Sequence, residues 1–329
     1  MNVSPQAQGL RHAVGECIEP GNVVIGCSGG PDSLALAAAA AWAVPRAPGQ
    51  LTAVIVDHEL QEDSAQVAEQ AARACQAVGI EDVEIKRVQV GTEGGPEAAA
   101  RDARRAALLE VAQRRSATQI LLAHTRDDQA ETVMLRAARG SGARALAAMR
   151  ACDPPWHRPF LATPREVVHE VAREIFEPLG FPPWDDPHNH DRRFARVRVR
   201  QALTQLESDL GPGLAANLAR SAHLLGDDAD ALESWAAGAF ERLVQPEEGG
   251  CSAELAALGE LPRAVRTRVL RLMHSSIAGE ADELDFDQVQ QVEAMVSLWK
   301  GQGPARLPGW VTARVECGRL TLLVQPREL

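Results

Sequence analysis

Lysine is almost missing from this 329-residue chain: Lys86 and Lys300 are the only two among 34 basic residues. The lysine of the common NTPase loop, Gly-x-x-x-x-Gly-Lys, is therefore absent from the chain's Gly-rich turn, which excludes a kinase or GTPase loop there. The six cysteines (Cys17, Cys27, Cys75, Cys152, Cys251, Cys317) include no Cys-x-x-Cys pair. Neither a zinc ribbon nor a dithiol redox site is readable, and reduced, mostly buried thiols are expected. No apolar run reaches the roughly 20 residues of a bilayer span; the longest lies around Leu34 to Val44. Met1 to Arg11 shows no basic flank leading into an apolar core, so a cytoplasmic protein with no membrane partner is expected. What is present, 45% hydrophobic and 24% charged residues, excludes disorder and collagen-like architecture and suits about two domains.

The net charge of −11 is unevenly placed. Residues 1–100 hold 5 basic and 13 acidic side chains, 101–200 hold 18 and 13, and 201–329 hold 11 and 19. The acidic total argues against nucleic acid as a partner, yet the basic central third is a local phosphate footprint.

Along the chain, β-branched strands alternate with Ala-rich helices. Strands are expected at 22–27, 51–56, 83–90 and 119–123, and helices at 33–44, 64–78, 96–115 and 127–139. Helices of that length between strands imply βαβ units and a doubly wound, mainly parallel α/β sheet covered on both faces. A loop-rich segment at 140–164, a helix at 164–179 and a Pro-rich stretch at 181–189 follow, then an Arg-dense helix starting near Arg192. From 211 the pattern is helical (213–243, 261–277, 286–299) and ends in a hairpin over 311–324. The boundary is placed near 210, giving domains 1–210 and 211–329.

Three motifs follow strands and open or precede helices. Ser28-Gly29-Gly30-Pro31-Asp32-Ser33 sits between the first strand and first helix, where unpaired N–H groups and the helix dipole favour a phosphate; an ordinary capped turn with Asp32 or Ser33 as N-cap is the alternative. Asp57-His58-Glu59-Leu60 ends the second strand, at the ligand edge of an open parallel sheet. His124 to Thr132 follows the fourth strand. Asp128 and Glu131 there share a helix face that can hold an ammonium group or magnesium, though both also fit capping-box spacing. Arginines gather in Glu97 to Arg105 (Arg101, Arg104, Arg105), in Arg139-Gly140-Ser141-Gly142, and in Asp185 to Arg200 (Arg192, Arg193, Arg196, Arg198, Arg200). Solvated faces and a glycine C-cap account for the first two readily; the density of the third points to phosphate binding.

The loop SGGPDS resembles that of the N-type ATP pyrophosphatases. Taken in order, SGGPDS, VDHEL, EAAAR, HTRDDQAET, RGSG and DDPHNHDRRFARVRVR over residues 22–200 resemble the tRNA(Ile)-lysidine synthetases. Leu261-Pro262 to Arg271 and Leu307-Pro308-Gly309 look like the family's small C-terminal domain. The resemblance implies that ATP, with Mg2+, adenylates the carbonyl oxygen at position 2 of the wobble cytidine of an isoleucine tRNA with anticodon CAU. Free L-lysine then displaces AMP to give lysidine. It implies that Ser28, Gly29, Gly30, Pro31, Asp32, Ser33, Asp57 and His58 bind ATP, with Asp32 near magnesium. Asp128 and Glu131 would attract the lysine ammonium, and one of them or His124 would accept its proton. Arg101, Arg104, Arg139, Arg192, Arg193, Arg196 and Arg200 would grip the tRNA. A homodimer is known in the family. Two positions depart from its pattern: Arg105 stands where a tyrosine is usual and Val197 where an asparagine is usual.

Competing readings are a tRNA thiolase of the same superfamily, which would need catalytic cysteines; a small-molecule ligase sharing the loop, which would leave the basic helix idle; and a nucleotide-binding module without catalysis. His188-Asn189-His190 superficially matches a nuclease motif but sits in a Pro-rich loop.

Overall fold

The computed structural model describes the chain except residues 1–2, 47–48, 59–62, 90, 92–95, 141, 280–282 and 326–329, and the side chains of 96–97. Glu59 and Leu60 of VDHEL, the Glu97 side chain and Ser141 of RGSG thus lie outside the described residues. Two compact units result, Met1–Gly226 and Asp227–Leu329. The division falls within one long helix, whereas the sequence reading draws it near 210.

The first unit is built on strands β1 (Asn22–Gly26), β2 (Leu51–Asp57), β3 (Asp82–Arg87) and β4 (Ala117–Leu121). Two short strands missed in the loop-rich segment, β5 (Cys152–Asp153) and β6 (Trp156–His157), complete a six-stranded sheet in the order β3-β2-β1-β4-β6-β5. All neighbours are parallel except the β5 edge. Helices α1 (Pro5–Cys17), α2 (Pro31–Ala43), α3 (Ser64–Ala77), α4 (Pro96–Arg114), α5 (Arg126–Ala137), α6 (Ala143–Leu146), α7 (Arg165–Phe176) and α8 (Ala195–Leu210) surround it. Helix α1 also escapes the sequence reading. Arg192 and Arg193 lie ahead of α8, whose N-cap is Phe194, a correction to a helix starting near Arg192.

Alternation along β1 and β2 sorts the core. Val23, Ile25, Ala53 and Ile55 face a cluster that includes α1, α2, α3 and α7, while Val24 and Val54 face Leu108, Val111 and Ala112 of α4. A sheet apolar on both faces must be covered on both, and period-two burial does this. Helix α2 is buried nearly all round, with alanines at 35, 37, 38, 39, 40 and 43. Such thin side chains let α1 and α7 approach it closely. Helix α7 buries Val168, Val171, Ala172 and Phe176, and Arg165 and His169, four residues apart, share a face of it.

The second unit carries the C-terminal part of α9 (Leu214–Leu243), then β7 (Gln245–Glu247), β8 (Gly250–Glu254), α10 (Leu255–Glu260), α11 (Arg263–Ala278), α12 (Phe286–Ser297), β9 (Ala305–Leu307), β10 (Val311–Glu316) and β11 (Arg319–Val324). The expected hairpin is β10–β11, but it belongs to a five-stranded antiparallel sheet ordered β7-β8-β11-β10-β9. Its inner face packs Ala253, Ala313, Leu320 and Leu322 against Val265, Val269 and Met273 of α11. A buried ion pair, Arg266 Nη2 to Glu293 Oε1 at 2.6 Å, ties α11 to α12. Among the described residues no helix is long and apolar enough to cross a membrane.

The loop segment after α5 is held by Arg136, whose Nη1 donates to Ala145 O at 2.6 Å and Ala148 O at 3.1 Å, and by a buried amide. Gln129, 4% exposed, accepts from Met149 N at 2.9 Å and donates to Met149 O at 2.8 Å. Gln129→Leu leaves both backbone groups buried and unpaired, so a loss of about 2–4 kcal/mol is expected. A thermal or urea unfolding curve no different from the parent would refute this anchoring role.

Candidate active site

Parallel strands β1 and β4 are neighbours, so the turns that follow them, and the helices α2 and α5 they open, meet at the carboxyl edge of the sheet. Gly29 supplies the sharp bend with φ +81°, and a Cβ there would lie 3.2 Å from Ala71 Cβ. Ser33 Oγ braces the loop from inside, donating to Gly30 O at 3.0 Å and accepting from Ser28 N at 3.1 Å, with Ser28 Oγ 3.3 Å away. Gly30, not Asp32 or Ser33, is the N-cap, and it makes no side-chain cap bond. The first-turn N–H groups therefore face the crevice with the positive end of the helix dipole behind them, an anion site. Asp32 projects from that turn. Its Oδ1 is buried, stands 3.2 Å from His169 Nε2, and makes no aligned hydrogen bond among the described residues.

Asp57, 4% exposed, ends β2, and its Oδ2 is 4.0 Å from Arg87 Nε. His58 beside it has a lowered pKa, because burial and then Arg104 disfavour its cation. Asp57 and Arg87 also line a cleft of about 420 Å³ with Glu69 and Ile85.

The turn after β4 is fixed by a full capping box. Thr125 N and Oγ1 donate to Asp128 Oδ2 at 2.7 and 2.8 Å, and Asp128 N returns to Thr125 Oγ1. Capping and ligand binding thus compete for the same carboxylate. Asp128 Oδ1 accepts from Arg165 Nη2 at 2.8 Å, and Glu131 Oε1 accepts from both Arg165 Nη1 at 2.9 Å and Arg200 Nε at 2.8 Å. The remaining oxygen, Glu131 Oε2, is buried and has no hydrogen-bond partner among the described residues. Burial raises the Asp128 pKa, but Arg165, His124 and the Thr125 bonds outweigh it and the net shift is downward. His124 is pushed down to about 3, first by burial and then by Arg104, Arg158 and Arg196 against the opposing pull of Asp128. It is a neutral imidazole at pH 7 and a weak proton acceptor.

Arginines crowd the neighbouring surface. Burial and the nearby cations Arg196, Arg105 and Arg136 lower the Arg101 pKa; burial with Arg101, Arg196 and Arg105 does the same at Arg104. Guanidiniums that disfavour one another's charge are relieved by a polyanion. Arg139 is exposed beyond the end of α5. Arg193 is exposed and paired with Asp191 at 2.7 Å, and the Arg192 carbonyl accepts from Arg198 Nη1 at 2.7 Å. Arg200, partly exposed, reaches into the acidic pair.

With this geometry, a PP-loop domain family model matches residues 4–207 and a TilS substrate binding domain model matches residues 254–321. The tRNA(Ile)-lysidine synthase of Thermobifida fusca is 48% identical over 299 residues, 91% of this chain and 90% of that protein. This chain belongs to the tRNA(Ile)-lysidine synthase family. That of Salinispora tropica is 45% identical over 316 residues, 95% of this chain and 94% of the relative. That of Mycobacterium tuberculosis is 48% identical over 280 residues, 85% and 82% respectively. The solved U34-tRNA thiolase NcsA from Methanococcus maripaludis, with its 4Fe-4S cluster, superposes with a TM-score of 0.56 at 20% identity, covering 68% of this chain and 78% of that one. That likeness is one of fold.

For a lysidine synthase family member, three site neighbours escape the motif reading. Arg165 and His169 reach the crevice from α7, and Trp184 N donates to Gly29 O at 2.9 Å, pinning the phosphate loop to the Pro-rich stretch. Arg165 stands 34 and 37 residues from its acidic partners, so no local spacing reveals it. Its backbone N also donates to Asp127 Oδ2 at 2.8 Å, setting α7 on the start of α5.

His124 makes stability depend on pH. Its folded pKa of about 3 lies below the ordinary 6.5, so unfolding takes up a proton between those values. Stability is full above about pH 6.5 and falls as the pH drops toward 3. His124→Gln is expected to flatten part of that slope in urea melts across pH 4–7. An unchanged slope would place this histidine in a solvated setting instead.

Proposed function

We propose that the protein is a cytoplasmic ligase that joins free L-lysine to carbon 2 of the wobble cytidine of an isoleucine tRNA with anticodon CAU. The observation that carries the reading is the meeting of two unlike polar sites in one crevice: the uncapped α2 N-terminus and, beside it, a buried carboxylate with one acceptor oxygen to spare. One suits a phosphate, the other a primary amine. Relatives at 42–48% identity carry the lysidine synthase name, whereas the thiolase likeness rests on fold, so the thiolase reading is the weaker.

In the first stage, the N–H groups of the α2 first turn and the Ser28 hydroxyl hold the leaving pyrophosphate, with Ser33 bracing the loop, while the base oxygen attacks the α-phosphorus. Asp57 and His58 line the nucleotide side. Magnesium fits the donor set: Asp32 offers a buried carboxylate oxygen without an aligned hydrogen bond, and this ion commonly binds one or two carboxylates plus phosphates. When bound it neutralises phosphate charge. Glu131 Oε2 then receives the lysine amine and its proton. Asp128 positions rather than receives, since both its oxygens are engaged. Arg101, Arg104 and Arg196 face the anticodon stem-loop, with Arg139, Arg192 and Arg193 at the periphery, and the second unit contributes further tRNA recognition.

The test combines purified protein with ATP, magnesium, radiolabelled lysine and a CAU isoleucine tRNA transcript, and counts acid-precipitable label. Incorporation is expected only with all components, and is lost when the wobble cytidine becomes uridine or when Asp32→Ala is used. Label independent of the wobble base would overturn the assignment. Arg196→Glu is expected to weaken tRNA binding and to lower the slope of log K against log salt by about 0.7 or more; an unaltered slope would take this residue off the RNA.

A further inference from the structure

Two carboxylates and two guanidiniums share the acidic pocket, and their bonding is almost closed. Of the four carboxylate oxygens, Asp128 Oδ2 serves the Thr125 cap, Asp128 Oδ1 and Glu131 Oε1 serve Arg165, and Glu131 Oε1 also serves Arg200. Glu131 Oε2 is the one of the four with no partner among the described residues, and so the most open to an amine. An ammonium placed there would join a carboxylate already bound to two fixed cations. A neutral amine would meet no such repulsion, and a lysine beside a fixed cation loses its proton more readily.

We infer that Arg165 eases the bound lysine amine into its uncharged, nucleophilic form, by cancelling the negative charge that would otherwise trap an ammonium. The inference rests on the lysine-ligating function proposed above. Arg165 acts through Glu131 and is a positioning residue. Its guanidinium is not needed to seat α7, which is held by its backbone N on Asp127 and by Val168, Val171 and Phe176 in the core.

The charged groups around the amine site come from five elements. Helix α5 and its preceding turn supply Asp127, Asp128, Glu131 and the neutral His124; α7 supplies Arg165 and His169; α2 supplies Asp32, on His169; α8 supplies Arg196 and Arg200; and α4 supplies Arg104. Burial lowers the Arg165 pKa, yet Asp128, Glu131 and Asp32 raise it further, so its charge is permanent. The charges of Asp128, Glu131, Arg165 and Arg200 cancel, burial lowers the amine pKa, and one guanidinium about 6 Å away, at an effective dielectric of about 20, makes a difference of roughly two pH units between the pocket with Arg165 and the pocket without it.

The step it serves balances simply. The bound ammonium gives one proton to Glu131 Oε2, the neutral ε-nitrogen forms a bond to carbon 2 of the adenylated cytidine, the bond from carbon 2 to oxygen breaks with its electron pair leaving on AMP, and the second proton of that nitrogen passes to the departing phosphate oxygen.

The test is a single-turnover transfer assay with the full-length protein. The tRNA is first adenylated with ATP and magnesium, then mixed with labelled lysine between pH 6 and 10. Burial in a pocket of balanced charge is expected to bring half-plateau of wild-type transfer about one unit or more below the free amine value of about 10.4. Arg165→Gln is expected to raise that midpoint by at least one unit and to lower kcat at pH 7. It should also lower the lysine KM about tenfold, because the pocket then favours the ammonium; Arg165→Lys restores the wild-type midpoint. A merely damaged pocket would raise KM. A wild-type midpoint near 10, or an Arg165→Gln midpoint and KM like wild type, would overturn the inference, and the wild-type arm decides even if the Gln variant does not fold. Absence of lysine transfer by the wild type at every pH would overturn the functional reading beneath it as well.

Discussion

Sheet order places everything else in the first unit. Because β1 pairs with β2 on one side and β4 on the other, chain leaving β1 and chain leaving β4 emerge side by side at the carboxyl edge. The crevice between them is where open α/β sheets bind ligands. Here two helix N-termini are brought to that crevice. One has a glycine cap and presents bare N–H groups; the other is closed by Thr125 and Asp128. A site for phosphate and a site for an amine thus arise from the same architectural accident, separated by how each helix begins.

Much of this was readable in the residues themselves. The βαβ alternation was carried by β-branched runs against Ala-rich stretches, and the phosphate loop by its glycines and serines. What escaped the reading was determined at long range. Helix α1 has two interior glycines and a mixed polar pattern. Strands β5, β6 and β9 have two or three residues each and exist only through their partners. Arg165 was invisible for the same reason. Its role depends on the packing of α7 against α2, which no spacing within either segment encodes. The pairing of Arg200 with Glu131, 69 residues away, was hidden in the same way.

The acidic total of the chain and its basic middle are reconciled by burial. Arginines on α4 and α8 crowd one another enough to lower their neighbours' basicity, while the acidic residues Asp128 and Glu131 are consumed by Arg165 and Arg200. A net charge averages over these two situations. It is the local imbalance, positive on the arginine-rich surface and nearly neutral in the acidic pocket, that gives each ligand its own environment.

Asp128 begins helix α5 with one carboxylate oxygen and holds Arg165 with the other. Folding and ligand placement therefore share a single side chain at a buried helix start. A change at Asp128 disturbs a helix start and a guanidinium at once, and the two losses arrive together.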